Sequence, residues 1–393
     1  MTARPTIDAA FPDRQKVIPR LFSALLVSFA ATIVGVGIAD AWLRDRDGDM
    51  QRRESEYRLF RDGIYPDPAV EKPPAGRKPV RSVYPPWALP LFTVFFEPGG
   101  KLQGRLVIEA LSLTALMTMG WYGWCRLRPH GIAPGLVGAV VAAAIVGNAS
   151  ALALGQFSII CMGFVAAEML LLEAGRPVAA GFCWALAMLK PQIGIAFAPL
   201  LLTKGRGIGL VAGVALLAAL SLAACAWTDV HPSSLLDRWL VRNRLEFNGH
   251  AGLQNAIQAW TGLSQRTLVA IGMALVASVA GVLLLRTDST VAPDALRLAA
   301  PLAAVGMLAV YHRHYDNVML WPTMLALLER AIRTGDRADV AISSVLAATL
   351  LVHPRLVGQV PFWPGATVAV WAFAAWWLVR RDRRSVDPRR GTT

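Results

Sequence analysis

The chain has 393 residues, of which 55% are hydrophobic and only 17% charged, and its formal net charge is +13. A soluble domain carries about a quarter charged residues, so a large water-soluble bundle is excluded on composition. A nucleic-acid partner is excluded by where the positive charge lies. Arg126 and Arg128, Arg176, Lys204 and Arg206, Arg286, Arg330 and Arg333, and Arg380–Arg384 stand at the ends of apolar blocks. That is the positive-inside pattern of cytoplasmic loops, not a basic groove with interleaved aromatics.

The apolar blocks are Ser23–Ile38, Ile108–Met119, Gly135–Val146, Ile159–Leu172, Gly207–Ala226, Leu268–Leu285 and Val368–Val379. With a few flanking residues each reaches the roughly 20 residues that cross a hydrocarbon core. The fold class expected is therefore all-α, a polytopic transmembrane bundle forming a single domain over 1–393. Residues 1–18 mix Arg, Lys and Asp, and no small-residue cleavage site follows the first apolar run. Leu21–Asp40 thus reads as a retained first span rather than a signal peptide. Cys125, Cys161, Cys183 and Cys225 lie in or beside separate apolar blocks and form no C-x-x-C pair. They read as buried small hydrophobes.

Span 1 covers 19–40, and a polar outer segment, 41–100, follows. That segment ends in Ser82-Val83-Tyr84-Pro85-Pro86-Trp87 and an apolar stretch, 87–96, too short to span. A Pro-Pro pair suits a first helical turn, which predicts a re-entrant or interfacial helix there. Spans 2, 3 and 4 cover 101–124, 132–150 and 156–173. The block 177–203 has Lys190-Pro191 at its middle, and one pass through it would put Lys204 and Arg206 outside. Two short passes broken at Lys190-Pro191 keep both flanks inside, although each half reaches only about 20 Å. Such pieces exist where protein or a water-filled cavity satisfies the freed backbone. The later spans cover 207–227, 267–286, 294–311, 316–331, 338–353 and 363–380, about twelve in all. Even parity puts both termini and the tail 381–393 on the cytoplasmic side of a bacterial-type inner membrane, with 228–266 and 354–362 as further outer loops.

The outer face carries the unusual chemistry. Asp49 stands just beyond span 1, where a carboxylate can serve as general base on a hydroxyl; a solvated acidic loop accounts for the same spacing. Asp45, Asp47, Asp49 and Glu56 imitate a calcium loop, but Met50 occupies the position that requires glycine, so no metal is expected. Lys190 in an apolar block is costly unless paired or hydrated. An anionic phosphate is a natural partner, and snorkelling at a loop is the plain alternative. His312-Arg313-His314-Tyr315-Asp316 is a polar cluster between two spans. Its histidines fall on opposite sides of a helix, which speaks against a shared metal, while Arg313 or a protonated histidine suits a phosphate. Asn148 and Gln156 flank the turn between spans 3 and 4 and can bond a sugar or the turn's own backbone. In the second outer loop Arg238 and Arg242 share a helix face, with Arg244, Trp239, His250, Asn255 and Gln258 nearby. That loop suits a lipid phosphate or a solvated amphipathic helix equally.

In their order along the chain these features resemble glycosyltransferase family 87, membrane enzymes of the C-type fold that include mycobacterial polyprenyl-phosphate-dependent mannosyl- and arabinofuranosyltransferases. The resemblance runs from about 35 to 330. It is carried by Asp49 ahead of Phe60-Arg61-Asp62-Gly63-Ile64-Tyr65, by Tyr84-Pro85-Pro86, by Gly155-Gln156, Gly175-Arg176, Ala180-Gly181 and Leu189-Lys190-Pro191, and by the Tyr311–Asp316 cluster. It implies inverting transfer of one sugar from a polyprenyl-phosphate donor to a hydroxyl of a lipid or glycan acceptor on the outer face of the bilayer, with no cofactor. It further implies Asp49 as base, with Lys190, His312, Arg313 and His314 around the donor phosphate. Gln156 and Asn148 would orient sugar hydroxyls, and Tyr84 and Arg242 would join the substrate site. The family often has an aromatic residue soon after the aspartate. Here Met50-Gln51-Arg52-Arg53 follows and the nearest aromatic is Tyr57, so Asp45 and Asp47 stay alternatives to Asp49.

Three other classes compete. Secondary transporters show paired broken helices in two related halves, whereas one break, at Lys190-Pro191, is evident in the sequence. Polysaccharide polymerases and ligases tend to carry their large outer loop late in the chain, and this chain carries it after span 1. A non-catalytic scaffold or channel component would be indifferent to loss of Asp49.

Overall fold

The computed structural model describes residues 14–43, 48–66, 84–97, 99–235, 261–286, 294–309, 312–352 and 363–381, and among them there is no β-strand. The first helices are α1 (Arg14–Leu43), α2 (Gly48–Arg61), α3 (Leu89–Phe96), α4 (Gly100–Leu127) and α5 (Ile132–Val140). They are followed by α6 (Gly147–Ala153), α7 (Ser158–Glu173), α8 (Pro177–Ala187), α9 (Pro191–Gly194) and α10 (Gly207–Thr228). The last are α11 (Gln265–Arg286), α12 (Ala295–Ala309), α13 (Trp321–Thr334), α14 (Arg337–Leu351) and α15 (Trp363–Arg381). Tight 3-10 turns at Pro86–Ala88, Ile195–Leu202 and His314–Leu320 lead into or out of these helices.

The all-α membrane class stands, but the count of about twelve full spans is not reproduced. Among the described residues four helices are long and apolar enough to cross a membrane: Leu21–Leu43, Gly100–His130, Gly207–Thr228 and Thr267–Arg286. Helices α6 and α7 qualify only as a pair, bent by 116°. Pro86–Phe96, Pro177–Ala187, Pro191–Leu202, Ala295–Ala309 and Gly365–Arg380 are apolar but short. Their burial explains how short pieces persist. In α12 every residue except Arg297 is buried, and in α3 Leu89, Phe92 and Phe96 are wholly enclosed. Interrupted backbone at membrane depth is tolerated where surrounding protein satisfies it.

The break at Lys190-Pro191 is present. Helix α8 ends at Ala187, Pro191 opens α9, and the Trp184 indole reaches across to donate to the Gly194 carbonyl at 3.0 Å. A second interruption was not anticipated. The region expected as one span over 132–150 divides at Val141–Val146, where the Asn148 side chain donates to the Ala142 carbonyl at 2.8 Å and the Val146 amide donates to the Leu350 carbonyl at 3.0 Å. The stretch after Pro85-Pro86 does form a 3-10 turn and a short helix, and Trp87 ties it to the Met188 carbonyl at 2.8 Å.

One end of the bundle is closed by ions. Arg126, in the last turn of α4, lies 2.7 Å from Asp294, 2.9 Å from Glu329 and 3.9 Å from Glu173, while the Tyr122 hydroxyl donates to Glu173 at 2.7 Å. Arg330 and Asp339 pair at 2.9 Å, and Trp377 donates to the same carboxylate at 2.7 Å. Two acids also fall inside apolar blocks: Glu109, which accepts from the Trp42 indole at 3.1 Å, and Glu168, fully buried on α7.

Candidate functional site

At the other end, four consecutive residues at the junction of α6 and α7 meet polar side chains from three other segments. Gly155 takes the left-handed conformation, φ +60°, that ends α6. Glycine adopts it without the penalty a Cβ brings. The Gly155 carbonyl accepts from the Arg53 guanidinium. Gln156 donates its side-chain amide to Asp49 Oδ2. The Phe157 ring lies 4.8 Å from the centre of the Arg53 guanidinium. Ser158 Oγ lies 2.8 Å from Lys190 Nζ and donates to Asp316 Oδ1 at 2.5 Å.

Asp49 sits in the first turn of α2, where the helix N-terminus favours a carboxylate, and it is half-buried. One turn later on the same helix Arg53 is 3% exposed. Its Nε donates to the Tyr84 hydroxyl at 2.9 Å, and its Nη1 is engaged by Gly155 with Met50 Sδ beside it at 3.8 Å. Burial opposes the guanidinium's charge, but the facing Tyr84, Asp49 and Glu56 hold its pKa above the ordinary arginine value. Burial likewise pushes the Tyr84 phenol well above the usual tyrosine range, with Arg53 pulling part of the way back. Tyr84 therefore stays protonated and serves as an acceptor for Arg53. Behind it Phe92, Phe95 and Phe157 pack edge-on or stacked at 5.2 to 5.9 Å.

Lys190 is 5% exposed and lies 2.6 Å from Asp316 Oδ1, itself 1% exposed, with Nζ 4.7 Å from the centre of the Tyr315 ring. The second oxygen of Asp316 accepts from the Arg313 amide at 3.1 Å and faces His312 Nδ1 at 3.8 Å. His312 is buried and directs Nε2 at the Gly306 carbonyl, 3.2 Å away. Arg313 is half-buried and His314 exposed. The start of α6 abuts this segment: a Cβ on Gly147 would lie 2.4 Å from the His314 carbonyl.

The expected residues therefore separate. Asp49, Gln156 and Tyr84 come together, and Lys190 joins them through Ser158. Arg313 and His314 sit at the accessible margin, whereas His312 lies beneath it. Asn148 faces the Val141–Val146 interruption, not the Asp49 cluster. Arg242, with Arg238, Trp239, Arg244, His250, Asn255 and Gln258, lies outside the described residues, as do Asp45, Asp47 and Tyr311. Arg53 and Ser158 were not anticipated. The signals that mark them are positional: Arg53 shares a helix face with Asp49 at i, i+4, and Ser158 follows Gln156 by two.

Comparison with known proteins adds a family. The model of glycosyltransferase family 87 matches residues 83–328, well over half of the chain. The matched stretch holds Tyr84, Gly155–Ser158, Lys190 and the His312–Asp316 cluster, and Asp49 and Arg53 precede it. No curated protein matches the chain.

Proposed function

The chain belongs to glycosyltransferase family 87, and from that premise we propose that this membrane glycosyltransferase moves a sugar from a polyprenyl-phosphate donor to a hydroxyl of a lipid or glycan acceptor, on the outer face of the cytoplasmic membrane and with inversion. The observation that carries the reading is the Gly155–Ser158 turn. It gathers a half-buried carboxylate, an amide and two buried cations at one end of an apolar bundle. An acceptor hydroxyl bonded to Asp49 loses its proton to that carboxylate as its oxygen attacks the anomeric carbon. The bond from that carbon to the phosphate oxygen breaks, and the electron pair leaves with the lipid phosphate. Gln156 holds Asp49 Oδ2, which orients the carboxylate and leaves the other oxygen for the acceptor. Arg313 and His314 stand where a phosphate carried on a membrane lipid can reach them. Lys190 has its charge met by Asp316, so its part is to brace the Tyr315–Asp316 turn against Ser158.

The test is transfer by purified protein in nanodiscs. A synthetic polyprenyl-phosphate sugar should serve as donor and a nucleotide sugar should not. Nuclear magnetic resonance of the product should show the anomeric configuration opposite to the donor's. Transfer from the nucleotide sugar alone, or retention of configuration, would overturn the reading. Reporter fusions near 65, 245 and 358 should report outside and those near 128, 205, 335 and 390 inside. An outside signal at 205 would mean that 177–203 crosses once and is not a hairpin.

A further inference from the structure

The two buried cations of the site differ in how their charge is answered. Lys190 is answered in contact by a carboxylate, Asp316 at 2.6 Å, with the Ser158 hydroxyl at 2.8 Å as a second acceptor. Arg53 is not. Among the described residues no carboxylate forms an ion pair with it, and its hydrogen bonds run to a phenol and a peptide carbonyl, both neutral. A buried charge is best met by a group in contact, and with no carboxylate touching it this guanidinium leaves room for an anion.

The geometry also leaves a donor for one. Nε and Nη1 are engaged, whereas Nη2 makes no hydrogen bond among the described residues and is not sealed within the protein. The plane of the guanidinium is held by the Phe157 and Tyr84 rings, 4.8 and 5.6 Å from its centre, so the remaining edge is aimed, not mobile. Arg53 also lies one helical turn from Asp49. Side chains at that spacing start about 5–6 Å apart, a separation on the scale of a displacement in which the attacking and leaving oxygens flank one carbon.

We propose that Arg53 binds the phosphate of the lipid-linked donor through its Nη2 edge, and that Lys190 does not touch it. The proposal rests on the lipid-phosphate reading of the donor given above. It also has a consequence for rate. The phosphate gains negative charge as the sugar leaves, so a fixed donor in a site of low dielectric strengthens its hold in the transition state.

The measurement is binding by native mass spectrometry in zwitterionic nanodiscs, with a polyprenyl monophosphate, the polyprenol of equal length, and inorganic phosphate as probes. Wild-type protein should prefer the lipid phosphate to the alcohol by about 10- to 100-fold, the range of one hydrogen bond to a charged group. Arg53→Gln should reduce that preference to about 2-fold or less. Arg53→Lys should recover part of it, and Arg58→Gln, an exposed position paired with Glu54, should match wild type. A wild-type preference that persists in Arg53→Gln overturns the proposal and leaves the donor reading intact. A wild-type protein with no preference overturns the donor reading itself. Inorganic phosphate that binds alone with the same Arg53 dependence overturns the lipid part. Should Arg53→Gln fail to fold, Arg53→Lys decides, because it keeps the charge and removes the Nη2 edge. A several-fold loss of phosphate preference supports the assignment, and an unchanged preference refutes it.

Discussion

At the Arg126 end of the bundle, charges stand at or near the ends of long helices and meet opposite charges from other helices: Arg126 alone touches α7, the start of α12 and α13. At the Asp49 end, charges are carried by a short helix, a turn and a broken segment, and one of them, Arg53, forms no ion pair among the described residues. The two ends are built from similar residues, so composition does not distinguish them. What does is whether the protein completes its own charges. A completed cluster clamps helices together, and an incomplete one is held open for something that arrives.

The comparison is broken most directly at Asp49. Asp49→Asn keeps size and removes proton acceptance, so kcat should fall by about 100- to 10,000-fold while the thermal midpoint in detergent stays near wild type. Asp45→Asn and Asp47→Asn should retain turnover. If one of them abolishes it and Asp49→Asn does not, the base lies earlier in the loop.

Asp316 gives the next largest effect, and it tests whether Lys190 belongs with the completed charges. Asp316→Asn strands a buried ammonium, a change that costs about 3–5 kcal/mol when one partner of a buried pair is removed. The double variant Lys190→Met with Asp316→Leu should recover most of that stability, because apolar replacements of a buried pair are often neutral. Equal losses in the single and double variants, read by thermal unfolding, would show that the pair is not the source of the stability.

The apolar blocks and the basic residues between them made the membrane class legible from the sequence, and the motifs from Asp49 to the Tyr311–Asp316 cluster carried the family resemblance. Proline and lysine together marked the break at Lys190-Pro191, since each interrupts an apolar helix by its own chemistry. The interruption at Val141–Val146 was invisible because its residues are as apolar as those of a continuous span, and what holds it open is Asn148 and the distant Leu350 carbonyl. The partners of the site were hidden for the same reason. Asp49 meets Gln156 and Lys190 meets Asp316 across more than a hundred residues, and no local pattern carries that information. Lys190 was legible as a costly charge, but not that the protein itself supplies the anion.

Arg126→Gln sharpens the comparison from the other side. It removes charge-assisted bonds to Asp294 and Glu329 from a position only partly exposed, each of the kind worth about 1.5–3 kcal/mol. Stability should fall by about that much, with kcat of the remaining folded protein unchanged. A loss of turnover larger than the loss of folded protein would mean that this end takes part in the reaction.

The smallest effect separates two glycines at the two ends of α7. Gly155 and Gly175 have nearly the same backbone, φ +60° and +70°, so alanine at either brings a similar left-handed strain of about 1–2 kcal/mol. Their surroundings differ. A Cβ at Gly155 would lie 2.5 Å from Met50 Sδ, on the residue next to Asp49, whereas nothing stands within 4 Å of one at Gly175. Gly155→Ala must push aside the buried Met50 side chain, next to Asp49 on α2, so turnover should fall about 10-fold, within the roughly 100-fold that a 1 Å misplacement can cost. Gly175→Ala should lose about 1 kcal/mol of stability and no turnover, because the residue lies at the end of α7 away from Asp49. Equal turnover in the two variants, measured under donor saturation on protein matched for folded content, would show that the Gly155 turn does not position the base.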